Sequence, residues 1–119
     1  LYHGRVDRRK GALDFLDALR LLEDRAVPFR AVISGIGPDL EASRSRAAAH
    51  GFGPDRVVFT GYAAYEAAPA LYREADIFVS PTHAEGFSNT VLEAMASGLA
   101  VLSCRSVGVV DCLTDGQDA

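Results

Sequence analysis

Two glutamates eight positions apart, Glu85 and Glu93, and a single lysine, Lys10, hold most of the chemistry in this chain. Glu85 falls in a glycine-bearing stretch that runs to Asn89, and Glu93 falls one turn into the helical pattern that follows. No lysine or arginine stands between residues 74 and 104, so neither carboxylate has a local counter-ion. An ionised carboxylate only accepts hydrogen bonds, and sugar hydroxyls donate them. A pair aimed at a polyhydroxyl ligand therefore explains more than the mild gain a carboxylate makes near a helix N-terminus. Lys10 is one lysine beside 11 arginines. Where guanidinium is so favoured, it points to a need for a compact ammonium charge, which suits a phosphate oxygen. Arg5, Arg8 and Arg9 complete four cations in six residues, of which Arg8 and Arg9 read as a solvated charge run.

Short apolar runs alternate with longer segments of helical spacing, which predicts an α/β class with a Rossmann-like parallel sheet flanked by helices. Strands are expected at 1–3, 29–34, 56–60, 76–80 and 100–103. Helices are expected at 12–24, from Pro38 to about His50, 69–74, 88–97 and 107–113. In the first helix Ala12, Phe15, Leu16, Leu19 and Leu22 share a face opposite Asp14, Asp17 and Asp24. In the fourth, Val91, Leu92, Met95 and Ala96 are expected to be buried, with Asn89, Glu93 and Ser97 on another strip.

In a parallel sheet every loop that follows a strand lies on one edge, where ligands bind. Here those loops are Gly4 to Gly11, Gly35-Ile36-Gly37-Pro38, Gly61-Tyr62 and Pro81 to Asn89. Glycines allow backbone N–H groups close to a ligand, and helix N-termini attract anions, so the edge suits a phosphorylated ligand. Gly35 and Gly37 do not open a dinucleotide fingerprint, because Leu40 stands where a third glycine is required.

The 119 residues are 49% hydrophobic and 24% charged, with a net charge of −4, which fits one globular domain without a basic face for nucleic acid. No stretch has the ~18 apolar residues of a membrane span. Cys104 and Cys112 lack the spacing of a zinc site and read as reduced, cytoplasmic core residues; no metal site is expected. The start at Leu1 and the turn-like end at Asp115–Ala119 read as an excised segment.

The run EGFSNTVLEAMASGLAV resembles the signature of the retaining GT-B glycosyltransferases of family four, in which two glutamates separated by seven residues hold a nucleotide-sugar donor. GRVDRRKG, GIGPDL, RVVFTGY and LYREADIFVSP resemble that family's first two loops and its third and fourth strands, in order, over essentially the whole chain. The resemblance implies that residues 1–119 are the donor-binding half of a GT-B fold, truncated at both ends, with the acceptor-binding N-terminal half absent and any membrane contact confined to it. It implies that Arg5 and Lys10 contact the donor diphosphate and stabilise charge on the leaving group without a metal or cofactor. It implies that Glu85 holds hydroxyls of the transferred sugar and Glu93 those of the ribose. Gly86, Phe87, Ser88 and Asn89 would give backbone contacts, and Gly61 and Tyr62 would lie beside the base. The donor would be a UDP-, GDP- or ADP-sugar, used by a hexosyltransferase in polysaccharide or glycoconjugate synthesis, with this segment alone inactive. A sugar-nucleotide epimerase half and a non-catalytic nucleotide-sugar module are the alternatives. Ala100 and the single Gly108 depart from the family pattern.

Overall fold

The structure, a computed structural model, describes residues 1–84 and 86–117. The chain opens with β1 (Tyr2–His3), followed by a 3-10 turn (Arg8–Lys10) and α1 (Ala12–Asp24). Then come β2 (Ala31–Ser34), α2 (Leu40–Ala49), β3 (Val57–Gly61), a second 3-10 turn (Tyr65–Ala67) and α3 (Ala68–Arg73). The last elements are β4 (Ile77–Ser80), α4 (Asn89–Ala96), β5 (Ala100–Ser103) and α5 (Val107–Val110).

All pairings are parallel. β1 pairs β2 with Tyr2 opposite Ile33, β2 pairs β3 with Ala31 opposite Val57, and β4 pairs β5 with Ile77 opposite Ala100. The two ladders meet where the Leu1 amino group donates to Ile77 O at 2.7 Å and the Val79 N–H donates to Leu1 O at 2.8 Å. Strand order is therefore β3-β2-β1-β4-β5. The chain winds outward from β1 in one direction and then, from β4, in the other, which places a switch point between β1 and β4.

Each face of the sheet has its own core. Ala12, Phe15, Leu16 and Leu19 of α1, at i, i+3, i+4, i+7 spacing, pack with Tyr2, Val6, Ile33, Ala47 and Val57. Ala68 and Tyr72 of α3 and Val91 and Ala94 of α4 pack with Phe78, Leu99 and Val101.

The expected elements are all present, with three corrections. The second strand begins at Ala31 rather than Phe29. The Phe29 ring instead packs edge-on against Phe52 at 5.6 Å and under the Arg56 guanidinium at 4.3 Å, so it anchors the approach to the ladder from outside. In α4 the buried residues are Val91 and Ala94, with Met95 partly buried; Leu92 and Ala96 are exposed. A helix this short buries one i, i+3, i+4 stripe, and the stripe is centred on Ala94, the residue small enough to meet the sheet. Cys104 is exposed on the loop after β5, not in the core, and both cysteines are free thiols.

Candidate functional site

A cleft of about 260 Å³ opens at the switch point, lined by His3, Gly4 and Arg5 at the end of β1, Lys10, Ser80 of β4, and Phe87 to Thr90 at the start of α4. A hollow of about 330 Å³ at the opposite strand ends, beside Pro28 and Asp76, gathers none of these groups. The cation loop and the α4 loop, more than 70 residues apart in sequence, thus form facing walls.

Local chemistry fixes the first wall. Asp7 caps the 3-10 turn by accepting the Lys10 N–H at 2.9 Å, and its other oxygen pairs with Arg5 Nε at 2.9 Å. The buried Tyr2 hydroxyl donates to Arg5 O at 2.6 Å, and burial pushes its phenol pKa up, so it stays a donor. Arg5 remains exposed, Arg8 and Arg9 are solvated as the charge run predicts, and Lys10 is half-buried in the cleft.

The walls are stitched to each other. The His83 N–H donates to Arg9 O at 2.8 Å, and the fully buried Thr82 hydroxyl lies 3.2 Å from Arg9 O and 3.1 Å from Ala84 O. Gly11, in the left-handed region at φ +74°, passes so close to Pro81 that a Cβ would overlap the Pro81 carbonyl oxygen. The His83 ring turns outward to Asp14 of α1 at 2.8 Å and is 60% exposed, away from the cleft.

At the second wall, the N-cap Ser88 side chain caps no backbone N–H of its helix; its hydroxyl shares a hydrogen bond with that of Thr90 at 3.2 Å. The α4 N-terminus therefore presents backbone N–H groups and a positive dipole end to the cleft opposite Arg5 and Lys10, an arrangement suited to a polyanion.

The remaining sequence candidates fall in different places. Gly35 and Gly37 lie off the cleft lining, and their lack of a side chain serves packing: a Cβ on either would overlap the carbonyl oxygen of Gly4 or of Val6. Gly61 accepts the Gly35 N–H at 2.7 Å, and Tyr62 beyond it projects into solvent at the same sheet edge, 73% exposed. Gly86 is exposed with open space around it. Glu85 lies outside the described residues. Glu93 stands one turn behind the α4 wall, where the buried Tyr72 hydroxyl donates to its Oε2 at 2.7 Å. Burial first, and then this bond, push the Tyr72 phenol pKa up, so the hydroxyl is a fixed donor to a carboxylate. Glu93 thus has a neutral partner where sequence offered no cation.

Sequence reasoning missed Asp7, His3, Tyr72 and Thr82. Only Asp7 carried a readable signal, an Asp three residues before Lys10 in N-cap position. The others become site residues through pairings that no local pattern encodes. Among the described residues no group of three His, Cys, Asp or Glu side chains is gathered to hold a metal ion, and no helix is long and apolar enough to cross a membrane.

A parallel, doubly wound sheet with helices on both faces and a cationic cleft at its switch point is a Rossmann-like α/β domain. Residues 1–119 match the family of glycosyl transferases group 1, and the chain belongs to it. It is 33% identical over 120 residues to the lipopolysaccharide core biosynthesis mannosyltransferase LpsB of Rhizobium meliloti, covering 97% of this chain and 33% of that protein. Among solved structures it resembles the C-terminal domain of the glycosyl transferase group 1 protein LpcC of Francisella tularensis, with a TM-score of 0.83 and 29% identity over 96% of this chain and 61% of that one. It shares the fold of Anabaena Alr3699/HepE in complex with UDP-glucose, with a TM-score of 0.84 and 23% identity over 97% of this chain and 32% of that one. The chain spans 21% to 33% of the length of the curated relatives it matches.

Proposed function

We propose that the cleft binds the diphosphate of a nucleotide sugar and that residues 1–119 form the donor-binding domain of a retaining, family-four glycosyltransferase. A separate acceptor-binding half would complete the enzyme. The observation that carries this reading is the meeting of Arg5 and Lys10 with the open N-terminus of α4 across one cleft. Two cations and a helix dipole would hold the diphosphate and stabilise the charge it gains as leaving group, with no cofactor required. Glu93, oriented through Oε2 by Tyr72, would accept from the ribose hydroxyls, and Glu85 from the transferred hexose. The 33% identity to a lipopolysaccharide mannosyltransferase supports a role in polysaccharide or glycoconjugate synthesis; a cytoplasmic setting is the reading of the two free cysteines alone. On its own this chain would bind donor without transferring it, since transfer needs an acceptor hydroxyl held about 3 to 3.5 Å from the anomeric carbon.

Amide-detected NMR titration with UDP, GDP and ADP side by side tests the reading. Shifts centred on residues 3–11 and 86–93, with Gly61 and Tyr62 beside the base, are expected for the preferred base, and silence with all three nucleotides overturns it. The two glutamates are expected to separate by ligand. Glu93→Ala should weaken a plain nucleoside diphosphate by about 1.5 to 3 kcal/mol, the range for a hydrogen bond to a charged group. Glu85→Ala should weaken only the nucleotide sugar. Isothermal titration calorimetry with both ligands checks this, and equal losses in both variants would contradict the assignment.

A further inference from the structure

Neither the loop chemistry nor the family resemblance accounts for His3, yet it lines the cleft beside Gly4, Arg5 and Lys10. Side chains alternate across a strand. On β1, Tyr2 turns to the α1 side, its ring 5.9 Å from Phe15, and His3 turns to the other side, edge-on to the Tyr72 ring at 5.7 Å. Its Nδ1 is buried without a hydrogen-bond partner. The Ser34 carbonyl on the neighbouring strand accepts the Gly4 N–H at 2.9 Å and has a second lone pair toward the ring. Burial pushes the ring pKa below the ordinary histidine value, while the Glu93 charge and the Ser34 backbone pull it partly back. A purely structural position at this spot would take an apolar side chain and avoid the unpaired nitrogen. An ionisable ring is useful only if its surroundings change.

They change when an anion enters. The groups interacting with His3 are Glu93 from α4, Tyr72 from α3 and the Ser34 backbone from β2, while Arg5, paired with Asp7, and Lys10 from the loop after β1 and the neutral Ser80 of β4 share the cleft lining with it. A bound diphosphate brings a second anion to the cleft that His3 lines, adding to the Glu93 carboxylate that already favours the imidazolium. Resting on the reading of the cleft as a nucleotide-sugar site, we propose that His3 is a positioning residue that takes up a proton from solvent when the diphosphate enters, its imidazolium holding the bound anion and Glu93 in register. The sign follows from linkage. Affinity rises as pH falls through the bound-state pKa, levels off below the free-state pKa, and gains about tenfold for each unit by which the ligand raises the pKa.

The test measures affinity from pH 5 to 8 in the full chain with UDP-glucose, GDP-mannose and ADP-glucose. All three are nucleotide sugars whose doubly esterified diphosphates have no ionisation in that window, unlike the terminal phosphate of a free nucleoside diphosphate. The expected result is binding at least threefold tighter at pH 5.5 than at pH 8, with proton uptake seen calorimetrically as a buffer-dependent enthalpy. His3→Gln should bind with a flat pH profile, whereas His83→Gln, altered at the outward-facing histidine, should keep the slope. Should His3→Gln not fold, the His3 ring resonances of the unaltered protein provide the same measurement, and their midpoint should move to higher pH on adding ligand. A flat profile in the unaltered protein, a slope that survives in His3→Gln, or an unmoved ring midpoint overturns the role of His3 while leaving the donor site standing. Absence of binding by all three nucleotide sugars at every pH overturns the site itself, and the proposal with it.

Discussion

Gly35→Ala is expected to unfold the cleft end of the domain. At φ +146° the backbone occupies a region that costs a residue with a Cβ about 1 to 3 kcal/mol. The added methyl also overlaps the Gly4 carbonyl oxygen and stands 2.9 Å from its carbon. Neither strand can retreat. Gly4 is bonded to Ser34 O at 2.9 Å and Gly35 to Gly61 O at 2.7 Å, so separation breaks the β1-β2-β3 ladder where the site begins. The combined loss is expected to exceed about 4 kcal/mol, the range of exceptional substitutions. Gly53→Ala, where a Cβ meets open space at ordinary φ, should stay within about 0.5 kcal/mol. Urea denaturation of the two variants makes the comparison. Equal midpoints would mean that Gly35 is not a close-packing glycine.

The second large effect concerns binding. Lys10→Ala is expected to weaken a nucleoside diphosphate by about 1.5 to 3 kcal/mol, as for loss of a charge-assisted hydrogen bond, which is roughly ten- to more than hundredfold in Kd. The cap of the 3-10 turn should survive in this variant, because it is the Lys10 backbone N–H that donates to Asp7. Lys10→Arg should recover only part of the affinity, since a planar fork does not reproduce a compact ammonium in a cleft of this size. Calorimetry with UDP, GDP or ADP gives the numbers. An unchanged Kd in Lys10→Ala would remove this side chain from the site. Asp7→Ala is the complementary change: it frees Arg5 from its pairing but loosens the turn that carries Lys10, so affinity and stability fall together.

What the chain determined by itself is what depends on neighbours close in sequence. The apolar spacing from Ala12 to Leu19 specifies a helix and its buried face, and β5 lies where its apolar run predicts. The glycines and cations of the first loop and the carboxylates around α4 are legible because turn chemistry and helical spacing are local. Tertiary structure decided the rest. That β1 lies between β2 and β4 is set by which strands can cover one another on both faces, through bonds such as Val79 to Leu1, and only this brings the Lys10 loop against the α4 N-terminus. The glycines of the second loop read in sequence as openings toward a ligand, but the backbone of the first loop fills the space beside them. Glu93 found Tyr72, 21 positions away, where local sequence offered no partner. His3 became a cleft residue because β1 alternates its side chains across a sheet whose second face is built by helices 65 or more residues later in the chain. Local patterns fix the dihedral angles of an element and which of its faces is apolar. Which element covers that face is a long-range pairing, specified by packing and hydrogen bonds that exist only in the folded chain.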